Sequence, residues 1–142
     1  MFMRERFDSY KVIAYALSFI YIAFGLLKVI GRSPIKSLVV AAMPFMQNDV
    51  LFGIFGAIEV FLGLGLLFRR TRGYAALGII LHLLGTFSTL LLASTKIFTP
   101  STLVTFEGEF VFKNILLIAV AYFIFRQERE GLKLPRIKFT MM

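Results

Sequence analysis

Two residues capable of chemistry interrupt long apolar runs. Glu59 lies within the run 50–68, and His82, the single histidine, lies within the run 74–92. Glu59 stands about 13.5 Å beyond Val50 at a helical rise of 1.5 Å per residue, close to the middle of a hydrocarbon layer about 30 Å thick. An ionised carboxylate at that depth costs about 3 kcal/mol or more, so it must be protonated, paired or turned toward a polar cavity. Gly56 and Gly63, at i−3 and i+4, share its helical face and allow a second helix to approach closely. His82 occupies a matching depth and continues through Thr86 and Thr89 on one face. A buried acid and an imidazole can hold a polar ligand or pass a proton, while the plainer role for each is a hydrogen-bonded clamp between helices. One histidine without cysteine or clustered carboxylates is a poor metal site, and no metal is expected.

Further polar residues gather at one edge of the apolar runs. Lys28 lies near the end of the first run, and Lys113 lies about one turn inside the last; either can extend its head to the headgroups. Thr105 is placed to cap the last helix, Glu107 and Glu109 sit where the helix dipole favours anions, and Glu109 precedes Lys113 by four residues in the favourable order. Asn114 adds an amide. Together with Lys28, these residues can line a mouth leading down to Glu59.

The elements that must position them are read from hydropathy. Hydrophobic residues make up 58% of the chain, mean hydropathy is +0.83 and there are 17 Phe, more apolar surface than a cytosolic domain of 142 residues can hide. Four runs, 12–30, 50–68, 74–92 and 110–125, are each expected to form a transmembrane helix. The first is too long for a signal-peptide core and lacks a small-residue cleavage site. Ser33 and Pro34 read as the cap and first turn of a short helix over 34–43, ended by Pro44 and too short to span. The expected architecture is therefore all-α: a single membrane domain forming an integral membrane four-helix bundle, with a short interfacial helix between helices 1 and 2 and a basic tail over 126–142.

Charge placement orients these spans. Sixteen Lys and Arg oppose eight Asp and Glu, a formal net charge of +8. Eleven of the sixteen fall before the first span, in the turn at 69–73 or after the fourth span, against three, Arg32, Lys36 and Lys96, in the other two connections. That bias places the N- and C-termini in the cytoplasm of a multi-pass protein in the cell membrane, expected to be a bacterial inner membrane. The charges lie between apolar runs rather than on an aromatic-laced face, which argues against nucleic acid as a partner. With no cysteine, the chain itself can carry no disulfide, thiolate metal site or dithiol chemistry.

The run from Glu107 to Asn114 resembles the Glu-Gly-aromatic-Lys-Asn element that opens the final helix of DoxX-like membrane proteins, including the YkgB-like branch. Gly25 to Lys28, Ile58 to Gly63 and His82 to Phe87 look similar to stretches in the other three helices. Glu109 departs from the pattern, standing where similar proteins often carry an uncharged or basic residue. The resemblance implies a membrane component, noncatalytic on its own, that binds a small lipophilic or anionic ligand or anchors a redox or oxidative-stress complex. The site expected is the cluster of Lys28, Glu59, His82, Thr86, Glu107, Glu109, Lys113 and Asn114. Two alternatives stay open: a quinone-reactive oxidoreductase subunit, with quinone as its ligand, and a transporter of protons or a small solute. Beyond the bilayer, the partners expected are a membrane redox protein or further copies of the chain.

Overall fold

The computed structural model describes residues 2–101 and 103–133. It is mostly helical: α1 (Phe2–Val29), α2 (Lys36–Ala42), a 3-10 turn (Pro44–Gln47), α3 (Asp49–Leu67), α4 (Arg72–Phe87), short helices α5 (Thr89–Leu92) and α6 (Ser94–Ile97), a two-residue antiparallel hairpin of β1 (Phe98–Thr99) and β2 (Leu103–Val104), and α7 (Phe106–Lys133). Three stretches, Ser9–Val29, Asp49–Leu67 and Phe106–Glu130, are long and apolar enough to cross a membrane. The long helices pack in sequence around a common interior, α1 on α3, α3 on α4, α4 on α7 and α7 back on α1.

Local chemistry fixes where the helices begin and end. α1 stops just after Lys28 because Gly31 adopts φ +70, and the amides of Gly31 and Arg32 return to the carbonyls of Lys28 and Leu27 at 3.1 and 2.8 Å. This is a Schellman closure, which favours glycine at the left-handed position. Asn48 caps α3 by accepting from the amides of Val50 and Leu51. Thr105 caps α7 by accepting from the amide of Gly108 at 3.1 Å, as its sequence position predicts.

Three expectations change. The run 74–92 is not one helix, because α4 ends at Phe87 and the chain restarts at Thr89. Thr86, Ser88 and Thr89 each donate a hydroxyl to a nearby backbone carbonyl, competing with the helical ladder where it breaks. The short helix starts at Lys36 rather than Pro34 and has no side-chain cap; Ser33 and Pro34 belong to the turn before it. It packs against the end of the helical array, where buried Leu38 meets Ala93, Ile97 and Val111. Finally, the segment expected to begin a tail at Arg126 continues α7 to Lys133, while Arg136 and Lys138 lie outside the described residues.

The closest helix pair is α1 with α3. A Cβ placed on Gly56 would lie 2.6 Å from the Gly25 carbonyl oxygen, and one on Gly25 would lie 2.6 Å from the Gly56 carbonyl oxygen. Only glycine at both positions permits this backbone contact, and Ser18 Oγ adds a hydrogen bond of 2.6 Å to the Gly63 carbonyl. The glycine face read from the sequence thus receives α1.

Tyr10 in the first half of α1, Arg72 at the start of α4 and Glu128 near the end of α7 meet at one end of the helical array. Buried Arg72 donates to the carbonyls of Leu66 and Leu67 at 2.7 and 3.2 Å and approaches Glu128 at 3.4 Å. Tyr10 donates its hydroxyl to Glu128 at 2.5 Å. Arg72, which the sequence assigns to topology alone, therefore helps to close this end of the fold together with Glu128.

Candidate functional site

At the opposite end from Arg72, α1 brings Lys28 to α3. The Lys28 Nζ lies 2.7 and 2.5 Å from the two carboxylate oxygens of Glu59, and both residues are 4% exposed. Gly56 makes this reach available, since a Cβ there would fall 2.6 Å from the Lys28 Cβ. Glu59 is therefore paired, one of the outcomes its depth demands. The pair is neutral as a whole, which removes most of the cost of a single charge among apolar helices.

The pair continues into α4 and returns to α1. His82 Nε2 lies 3.1 Å from Glu59 Oε1, at ion-pair distance but off the line of a straight hydrogen bond, and it has no other partner among the described residues. His82 Nδ1 lies 3.1 Å from the Tyr21 hydroxyl. With Nδ1 accepting from Tyr21, the neutral ring carries its proton on Nε2, close to Glu59 though not aligned with it, and the residues follow in the order Tyr21, His82, Glu59, Lys28. Phe55 holds this arrangement from α3, its ring centroid 5.0 Å from that of His82 and 5.9 Å from the Lys28 Nζ.

These four polar residues form one wall of a cavity of about 350 Å³. The other walls are mainly apolar: Ile20 and Phe24 from α1, Leu83 from α4, and Phe110, Leu116 and Leu117 from α7. Ser33, Pro34 and Ile35 border it between α1 and α2. At the rim, Leu116 is 67% exposed, so the cavity communicates with the apolar flank of the molecule between α1 and α7. A space of this size, mostly apolar with a few convergent polar groups, suits a small lipophilic ligand.

Six of the eight residues expected at a site line this cavity: Lys28, Glu59, His82, Thr86, Lys113 and Asn114. Thr86 donates its hydroxyl to the His82 carbonyl at 3.1 Å, so its proton is already committed. Glu107 and Glu109 are not among the lining residues, and Glu109 forms no ion pair with Lys113. The i, i+4 spacing of the latter two is favourable but does not produce contact.

Tyr21 is the member of this polar cluster that the sequence does not single out. It is a tyrosine in an apolar run, indistinguishable by pattern from packing aromatics until its hydroxyl is seen against His82. Its spacing does carry a signal: Tyr21, Phe24 and Lys28 follow at i, i+3 and i+7 on one face of α1. Among the described residues there is no group of three or more His, Cys, Asp or Glu able to hold a metal. No protein-family model matches the chain, and no curated protein or solved structure is significantly similar to it.

Proposed function

We propose that the protein is a four-crossing integral membrane protein, with both ends cytoplasmic, that binds a small lipophilic molecule in the cavity between α1, α4 and α7. The observation carrying this reading is a cavity lined by polar side chains from all four long helices: Lys28 and Tyr21 from α1, Glu59 from α3, His82 from α4 and Lys113 from α7. A purely structural clamp accounts for the Lys28–Glu59 pair, but it leaves the apolar space beside that pair without a purpose.

The fourth crossing is α4, whose 16 residues span about 24 Å as a helix. The broken continuation through α5 completes the passage, and at the break the Ser88 and Thr89 hydroxyls donate to the carbonyls of Gly85 and Thr86. The meeting of Tyr10, Arg72 and Glu128 supports a shared side for the start of α1, the turn at 69–73 and the end of α7, the side to which the charge bias assigns the cytoplasm. The four stretches that resemble DoxX-like proteins each contribute at least one residue to the cavity lining, Lys28, Glu59, His82 and Lys113 with Asn114.

A quinone-reactive subunit is the second reading, favoured by the sequence of Tyr21, His82 and Glu59 along the cavity wall, which can deliver a proton to a carbonyl oxygen in the cavity. A cysteine-free chain would then draw its electrons from a redox partner. Purification into nanodiscs followed by organic extraction and mass spectrometry tests the binding reading. One small lipophile per chain is the expected result. Absence of any such molecule, together with no saturable uptake of added lipophiles, overturns it.

A further inference from the structure

The free hydrogen-bonding groups of the cavity define what its ligand carries at the polar end. Lys28 and Glu59 neutralise each other, and Thr86 is committed to the His82 carbonyl. What remains at the outer mouth is Lys113 and Asn114 on α7 and Ser33 after α1. None of these three side chains has a hydrogen-bond or ion-pair partner among the described residues, and the one acid a helical turn away, Glu109, is exposed and unbonded to Lys113. The mouth thus presents one uncompensated positive charge, an amide and a hydroxyl above an apolar space.

We infer that the ligand is a single-tailed amphipathic anion, with a carboxylate head held by Lys113, Asn114 and Ser33 and its tail in the apolar cavity. This inference rests on the binding reading above and names its ligand class. One lysine flanked by neutral donors matches a monoanion, whereas a phosphate head is more commonly met by several cations or an arginine fork. The cavity follows α1 from Ile20 to Lys28, about 12 Å of helix. Its volume of about 350 Å³ admits one short tail and is too small for a two-tailed lipid. The exposed rim at Leu116 lets such a tail enter from the bilayer while the head stays at the interface.

Decanoate and decanol, which share a tail and differ in the charge of the head, are the probes. Their saturable binding is measured by radioligand exchange on the full chain in nanodiscs of neutral lipid. Wild type is expected to prefer decanoate by about tenfold, the worth of one hydrogen bond to a charged group. Lys113→Gln is expected to remove that preference and Lys113→Arg to restore most of it, with decanol binding reporting that each variant is folded. Equal affinity for the two probes in wild type, unchanged in Lys113→Gln, overturns the anionic ligand while leaving the cavity reading intact. Failure of wild type to bind either probe saturably overturns both.

Discussion

Lys28 and Glu59 meet at 2.7 and 2.5 Å, joining the end of α1 to the middle of α3 through a buried ion pair. Three features coincide at the pair: α1 ends just after Lys28 at Gly31, Gly56 leaves room for the lysine stem, and His82 lies 3.1 Å from the carboxylate.

Removing either partner leaves the other charged and buried. Glu59→Gln and Lys28→Met are each expected to destabilise the fold by about 3–5 kcal/mol, and the double substitution Lys28→Met/Glu59→Leu to recover most of that loss. Denaturant titration in mixed micelles reads both. Additive losses in the double variant would show that the pair is not energetically coupled.

The α1–α3 contact depends on the absence of side chains. Gly56→Ala is expected to cost about 1–3 kcal/mol or more, because the added methyl meets the Gly25 carbonyl oxygen and the Lys28 Cβ. Gly53→Ala, where nothing lies within 4 Å, is expected to be neutral or slightly stabilising in the same helix. Thermal unfolding of the two variants side by side separates close approach from helix propensity. Equal midpoints would count against the tight contact.

The Arg72 closure makes a separate demand. Arg72→Ala strips partners from the Leu66 and Leu67 carbonyls and from Glu128, and it should destabilise by several times the roughly 1 kcal/mol expected for Tyr10→Phe. Hydrogen exchange measured by mass spectrometry should show the loss first in peptides covering the α3–α4 turn. Protection there that matches wild type would show that Arg72 is dispensable to the closure.

The absence of cysteine permits a direct topology measurement. Arg70→Cys should react with a membrane-impermeant maleimide only after the cell membrane is opened, and Ser101→Cys should react in intact cells. The reverse pattern would invert the protein, and labelling of both from one side would remove the crossing by α4.

Much of this arrangement was legible from residue types. Glu59 announced itself by its cost in an apolar run, the glycines around it marked the face that receives α1, and Thr105 capped α7 where its position indicated. The i, i+4 pattern of Glu109 and Lys113 misled, because spacing along a helix does not determine whether long exposed side chains close on each other. The break after Phe87 was hidden since Thr86, Ser88 and Thr89 read equally well as a polar stripe on a continuous helix. Tyr21 and the buried role of Arg72 were illegible for a common reason: each is defined by a partner 61 or 56 residues away, Tyr21 with His82 and Arg72 with Glu128, and no local pattern encodes that distance.

The central claim is that the space beside the ion pair is a binding site. Leu117→Trp tests it most directly, since residue 117 lines the cavity, the chain has no other tryptophan, and the larger ring occupies the volume proposed for the ligand. Saturable binding of a lipophilic probe should be present in wild type and at least tenfold weaker in Leu117→Trp at unchanged unfolding temperature. Equal binding in the two proteins, or none in either, would contradict it.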